Sequence, residues 1–573
     1  MTIHRRHWLN GTGLVAASVP LGRPGTAKAS PWGASAAEED IFTRMVKGSD
    51  SSVPKLLSRQ EQRPGHRWLG GWADDFGIHS PMGTSGLIRT LAAVYLSAES
   101  GWYRRKDLVP RMEQAVKYLL AAQHGDGTID LYTTNFHSPP DTAFAVEPLC
   151  DAVAVIRKFG GPELKPLAEL LGRFLAGAAR ALCSGGIHTP NHRWVVCASL
   201  ARIHDLYPQE CLTARIDDWL GEGIDIDGDG QYTERSTTIY SPVVDRSFLA
   251  LARLRNRPEL LEPVRRNLEM TLFYLHADGE VATEGSRRQD QFQRGTLAGY
   301  YLPYRSLALS DRNGRFAATA KKIEEKSGES LSGYLAQFMA HPELRKSLPD
   351  SAPLPEDFFR HFSHSGLVRI RRGPVSATVL ANNPTLLTFR KGAAVLEALR
   401  LASAFFGKGQ FVSPTMEIAG NEMRLSQQLE GPYYQPLPPA YRRRDGDWFQ
   451  MDRSRRPQSE VQKLDTVLIV REKDGRLEMD LEILGCERVP VAVEFCFRKG
   501  GELSGVVPVS GVADAFLLEK GMGRYRAEGQ EIMFGEGQAD HGWTLLRGAL
   551  PKPNALSVYL TGFTPFRKRL TLA

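Results

Sequence analysis

The hydrophobic patterning of this 573-residue chain divides it into an all-helical domain followed by an all-β domain of sandwich type. Three observations carry that division. Up to about residue 345, apolar residues recur at helical spacing, in 87–96, 112–122, 144–156, 164–182, 194–206, 243–254 and 260–275. Beyond it, runs rich in Val, Thr and Phe alternate with period two, in 366–372, 375–380, 466–471, 491–497 and 555–560. Gly, Asn, Asp and Pro bound these runs, as strand ends require. Between the halves, Pro349, Pro353 and Pro355 mark an extended linker. The resulting division is 1–29 for a leader, 36–345 for the helical domain, 346–357 for the linker and 358–573 for the β domain.

The composition is that of an ordinary globular chain, 42% hydrophobic and 24% charged, which excludes collagen-like and disordered classes. The net charge of +7 would invite an anionic partner, but Arg5, Arg6, Arg23 and Lys28 supply +4 of it within the leader, which has no acid. The remaining +3 is close to neutral for so long a chain, so bulk charge gives no argument for nucleic acid. The leader has a charged start, a short apolar run over 11–21 and Ala27-Lys28-Ala29, the pattern of a secretory signal. Arg5-Arg6 followed by Trp8 and Leu9 resembles a twin-arginine export signal and predicts a bacterial protein that is periplasmic or secreted. The apolar run falls short of the ~20 residues of a membrane span. The six cysteines show no C-x-x-C spacing. Cys150, Cys183, Cys197 and Cys211 read as thiols in helical segments, and Cys486 and Cys496 could bridge neighbouring strands.

Glycine turns recur through the helical half at Asp126-Gly127, Gly185-Gly186, Asp229-Gly230 and Asp278-Gly279, about every 50 residues. They predict helical hairpins that stack into a solenoid or close into a toroid. The loops after the turns gather the chemically useful side chains. They hold Asn135, His137 and Asp141; Asn191, His192, Arg193 and Trp194; Glu234, Arg235 and Tyr240; and Glu284, Arg287, Arg288 and Asp290. Equivalent loops on one rim would face a common cleft, and such a polar, aromatic and arginine-rich lining suits a carbohydrate.

These residues resemble the heparinase II/III-like and alginate-type polysaccharide lyases. Asn191-His192 at a helix start is similar to that family's Asn-His element. The stretch from Asp229-Gly230 through Glu234 and Ser236 to Tyr240 is similar to its tyrosine-bearing segment. The resemblance implies an incomplete α/α toroid followed by an antiparallel β-sandwich, and a lyase that cleaves uronate glycans by β-elimination. It implies Asn191, His192 and Tyr240 as catalytic residues. The family's His-x-His-Ala-Asp-like strand corresponds here to 380–392, which holds neither histidine nor acid. No β-domain metal site or catalytic histidine is expected there, and heparin is not the expected substrate.

β-Elimination needs a neutralised carboxylate, a base for the C5 proton and an acid for the leaving oxygen. Asn191 is the candidate carboxylate ligand, Tyr240 the acid and, if proton and leaving group share a face, the base. His192 is the base for the opposite face or a second donor. Asn135, His137, Arg193, Trp194, Glu234, Arg287, Arg288 and Tyr433 are the candidate substrate-binding residues, with interior packing the favoured reading of Trp194. No cofactor is required. Asp225, Asp227 and Asp229 open like a calcium loop, but the twelfth position is Ser236 rather than Glu. Calcium or zinc is the cofactor this leaves open. His361 and His364 share no strand face. Arg442, Arg443, Arg444, Arg453, Arg455 and Arg456 are diluted by Asp445, Asp447 and Asp452 and read as a solvated loop. The expected partner is an anionic polysaccharide or oligosaccharide, with neither nucleic acid nor a membrane. The alternatives are a toroid hydrolase using two of Asp141, Glu234 and Glu284, and a glycan-binding protein without catalysis.

Overall fold

A computed structural model describes residues 40–573, so the leader lies outside the described residues. The chain forms two compact units, one of residues 40–269 with Leu297–Leu354, the other of Met270–Thr296 with Pro355–Ala573. No helix among the described residues is long and apolar enough to cross a membrane.

The first unit is an incomplete α/α toroid. Its helices are α1 (Ile41–Ser58), α2 (Pro81–Leu96), α3 (Leu108–Ala122), α4 (Pro139–Phe159), α5 (Lys165–Ser184), α6 (Pro190–Leu206), α7 (Glu210–Gly221), α8 (Tyr240–Leu254), α9 (Leu261–Leu272, whose last residues belong to the second unit), α10 (Tyr301–Asp311), α11 (Gly314–Ser327) and α12 (Leu335–Ala340). The inner helices α2, α4, α6, α8 and α10 lie side by side in that order, with α3, α5, α7 and α11 packed outside them. Sequence explains the layers. α5 buries Leu167, Leu171, Phe174, Leu175, Ala178 and Leu182, the single stripe of a surface helix, whereas α6 buries nearly every residue from Arg193 to Ala201.

The inner helices are parallel and start alike. Ser80 and Ser138 cap α2 and α4 by accepting from the Gly83 and Asp141 amides, and a proline follows at the first helical position. Thr84 and Thr142, one turn in, each donate back to the cap carbonyl and accept an amide, from Trp72 and Ile129 respectively. The accepted amides belong to two short hairpins, β1 (Trp72–Ala73) with β2 (His79–Ser80) and β3 (Ile129–Leu131) with β4 (Asn135–Ser138). A left-handed glycine closes each entry loop. Gly77, Gly127 and Gly230, at φ +76, +87 and +90, donate to the carbonyls of Asp74, His124 and Asp227. A Cβ at Gly127 would stand 2.1 Å from the Gly177 carbonyl oxygen, so glycine is required there. Gly185-Gly186 departs from the expected repeat: Gly185, at φ −75, only ends α5. The turn that completes the series is Asp74–Gly77, because α6 is entered by a loop too short for a hairpin.

The second unit is a β-sandwich. One sheet has nine strands and contains the meander β5 (Asp357–Phe362), β6 (Leu367–Arg372), β7 (Val375–Leu380), β8 (Leu387–Lys391) and β9 (Ala394–Ser403). The other has eight, centred on Glu422–Tyr434, Gln458–Lys473, Arg476–Gly485 and Phe566–Leu572. Pairing is antiparallel except between Ala515–Leu517 and Leu556–Phe563. Val368, Phe389, Leu399 and Phe495 of the first sheet meet Met423, Leu468, Met479, Phe534 and Leu570 of the second in one core.

Residues 270–296, read from sequence as part of the helical domain, group with the β unit because buried charge holds them there. Glu284 accepts from Thr388 Oγ1 at 2.9 Å and from Thr378 Oγ1, which in turn accepts from Arg369 Nη1 at 2.6 Å. Arg369 is fully buried, and Glu284 is nearly so. Burial pulls the Arg369 guanidinium down to about 10 despite Glu284. Burial also opposes charge on Glu284, but Arg369 and Thr378 outweigh it and hold the carboxyl low. His276 Nδ1 lies 2.7 Å from Ser376 Oγ, and Glu280 pairs with Arg390 at 2.8 Å and with Arg498 at 3.0 Å.

Candidate active site

The start of α6 departs from its neighbours, and the departure builds the site. The cap hydroxyl of Thr189 accepts from the Asn191 side chain at 2.9 Å instead of from the backbone. The second Asn191 amide hydrogen goes to Glu234 Oε2, joining α6 to the loop before α8. Asn191 is 1% exposed, and its Oδ1 has no hydrogen-bond partner. His192, next along the helix, is half-buried, edge-on to Phe144 of α4 at 6.2 Å and 6.3 Å from His188. Tyr240 is the first residue of α8; its amide donates to Ser236 Oγ at 3.1 Å and its side chain is 8% exposed.

Buried contacts fix the loop that carries Glu234 and Tyr240. Tyr232 donates its hydroxyl to Asp245 Oδ1 at 2.8 Å, both residues being buried, and Asn267 donates to the Gly230 carbonyl. Burial pushes the Asp245 carboxyl well above the carboxylate range, against the Tyr232 hydroxyl and Arg246. Burial, then Asp245, pushes the Tyr232 phenol up as well. A folded value above the unfolded one stabilises the fold below the ordinary carboxyl range and loses that stability as pH rises through the folded value. Asp245→Asn, which cannot ionise, is therefore expected to melt ~2–4 °C above the wild type at mildly alkaline pH and level with it in acid, as a pH series of thermal melts would show. A constant difference across the series would contradict this.

The remaining candidates separate by position. Asn135 donates to Asp141 Oδ2 at 2.9 Å, and Asp141, buried, also accepts from Ser138. His137, exposed and at φ +48, sets Nδ1 2.7 Å from Asp126 and stacks on His124 at 3.8 Å. Arg193 and Trp194 do not line a cleft. Arg193 is buried, bonded to Glu222 and Asp225 at 3.0 Å, and stacked on Trp194; Trp194, fully buried, donates its indole N–H to Asp225 at 2.8 Å and packs on Phe248. The sequence could not separate Arg193 from a site residue because it follows His192 directly, and a helix turns ~100° per residue.

Asp225 is thus spent on Arg193 and Trp194, and Asp227 accepts from the amides of Asp229 and Gln231, so these carboxylates do not suit a calcium loop. Among the described residues no three His, Cys, Asp or Glu side chains are placed to hold a metal. Arg287, Arg288 and Tyr433 belong to the second unit. Both arginines are exposed, and Tyr433, 58% exposed, meets Phe406 edge-on at 5.5 Å. In the arginine-rich loop, Arg453 and Arg455 stack on Trp448 and Tyr441, and Arg443 pairs with Asp445. Paired-carboxylate hydrolysis finds little support: Glu284 is enclosed in the β unit, and Asp141 is held by Ser138 and Asn135.

Sequence reasoning missed one signal. His79-Ser80-Pro81, His137-Ser138-Pro139 and His188-Thr189-Pro190 repeat a His-(Ser/Thr)-Pro pattern at the starts of α2, α4 and α6.

No family model matches the sequence, and no curated protein matches it. Solved structures do match its fold. A Paenibacillus xanthan lyase aligns at TM-score 0.55 and 11% identity, over 93% of this chain and 55% of that one. The chain therefore spans about half the length of that lyase. A Streptomyces coelicolor A3 chondroitin AC lyase, in complex with chondroitin sulphate, aligns at TM-score 0.53 and 14% identity, over 94% of this chain and 80% of that one. Its tyrosine-to-alanine variant aligns at TM-score 0.53 and 13% identity, over the same shares. The architecture, toroid and sandwich alike, is that of polysaccharide lyases.

Proposed function

We propose that the protein is a polysaccharide lyase that cleaves a uronate-containing glycan by β-elimination, and that the leader exports it to the periplasm or beyond. The observation that carries this reading is the joining of Asn191 at the start of α6 to Glu234 in the loop leading to Tyr240. An ordinary helix start needs no such clamp. It sets an imidazole and a phenol on adjacent parallel helices, a pair of side chains able to accept and to donate a proton.

Tyr240 donates its hydroxyl proton to the leaving O4 while His192 accepts the C5 proton. Asn191 yields its bond to Thr189 to the substrate carboxylate and keeps Glu234, favouring the enolate-like form of the sugar acid. The positive end of α6 favours the same anion. Every proton has a protein donor or acceptor, so the chemistry needs no cofactor.

The test is ultraviolet absorbance during incubation with a panel of uronate polymers. A lyase creates a conjugated C4–C5 double bond and the absorbance climbs. New reducing ends without that absorbance would replace the reading with hydrolysis, and binding without either with a non-catalytic glycan-binding protein.

A further inference from the structure

We infer that the histidines preceding the caps of α2, α4 and α6, with the exposed phenylalanines beside them, form a row of subsites for successive acidic sugars of an extended chain. This rests on the lyase reading. Parallel inner helices put His79, His137 and His188 at one end of the first unit, the end that carries His192 and Tyr240. Neighbouring helix axes are roughly 8–10 Å apart, a stride comparable to two sugar rings of an extended glycan.

Capping does not explain the histidines. The residue before a cap is favoured when apolar, to staple the first turn, yet here it is His three times, with Ser80 and Ser138 capping α2 and α4 and Thr189 at the cap of α6. Two of the hairpins add an exposed ring: Phe76, 86% exposed, before His79, and Phe136, 65% exposed, before His137. A sugar face stacks on a ring and its carboxylate takes an imidazole N–H, so ring and imidazole together suit an acidic sugar. The imidazoles are set for this. His137 gives Nδ1 to Asp126, which leaves Nε2 to point elsewhere. His79, mostly buried, sits against the Trp68 ring at 4.9 Å, with its Nε2 facing the Glu61 carboxylate at 3.9 Å and its enclosed Nδ1 without a hydrogen-bond partner. α8 has no such histidine; Tyr240 stands at its start instead, so the row ends where the bond breaks.

The experiment compares kcat/KM on chondroitin and alginate tetrasaccharides and decasaccharides for the wild type, His79→Gln, His137→Gln and Phe136→Ala. Each substitution is expected to lower the decasaccharide-to-tetrasaccharide ratio about tenfold. Circular dichroism and melting show whether each variant folds, and His79→Asn stands in where the Gln variant does not. An active wild type whose ratio is unchanged in all variants overturns the row and leaves the lyase reading intact. A wild type inactive on the whole uronate panel overturns both.

A second inference stands on a different observation. Cys183 of α5 and Cys211 of α7 lie Sγ to Sγ at 3.4 Å, Cys183 half-buried and Cys211 exposed. We propose that they form a disulfide between two outer helices. Two thiols lose two protons and two electrons to a disulfide-bearing oxidant, either oxidised glutathione, which becomes two glutathione thiols, or a thiol oxidoreductase, which becomes its dithiol. The expected linkage differs from the Cys486–Cys496 bridge that strand spacing allows; Cys496 is buried in the β unit. The full chain incubated with oxidised glutathione should lose two hydrogens of mass, give a Cys183–Cys211 cross-linked peptide and melt higher than after reduction, a difference abolished in Cys183→Ser. Six titratable thiols after that treatment would overturn the proposal.

Discussion

Tyr240→Phe is expected to lower kcat on a cleavable uronate polymer by ~10²–10⁴ with little change in KM, because one ring replaces another and only the donated proton is lost. The substitution is conservative for the fold. Tyr240 is 8% exposed, and its amide, which meets Ser236, is untouched. The change therefore separates chemistry from stability, provided the variant melts with the wild type. Initial rates by ultraviolet absorbance, with single-turnover measurements to isolate the elimination step, read the effect. Full activity in the variant would remove the phenol from the mechanism and leave His192 to both proton transfers.

The largest expected loss of stability is Glu284→Ala. It strips a fully buried guanidinium, Arg369, of the one carboxylate it pairs with among the described residues, at a cost of ~3–5 kcal/mol. It also leaves Thr378 and Thr388 without their acceptor. A fall in Tm on the order of 10 °C follows for a unit of this size. Glu284→Gln, which keeps acceptor and shape, should fall less, and Arg369→Met in the Glu284→Ala background should recover part of the loss. A shift of the single variant under ~2 °C would mean that Arg369 is satisfied by its carbonyl and hydroxyl partners alone.

These two residues also mark what could and could not be read from the chain. Period-3.6 and period-2 patterns divide the helical and β halves, since apolar spacing is local. The helix starts at Pro190 and Tyr240 follow from local pattern, whereas the catalytic roles of Asn191, His192 and Tyr240 come from the family resemblance. Glu284 and Arg369 were not legible. They are 85 positions apart in the chain, and β6 buries its arginines where alternation would turn a charge to solvent. The membership of 270–296 depends on that pairing, so local pattern assigned it to the helices that flank it. Interior packing, the favoured reading of Trp194, holds, but Arg193 next to His192 could not be told from a site residue, since a helix turns ~100° per residue.

The entry loops of the inner helices have a consequence beyond catalysis. The loops before α2 and α4 are long and each holds a hairpin, and the loop before α8 is long and closed by the left-handed Gly230, whereas the opposite-end turns from α4 to α5 and from α6 to α7 span only a few residues. The end of the first unit where the inner helices start therefore holds most of its long loops. New specificities could arise by lengthening entry loops one at a time, those of α2 and α4 on their own hairpins, without unsettling the helix pairs behind them.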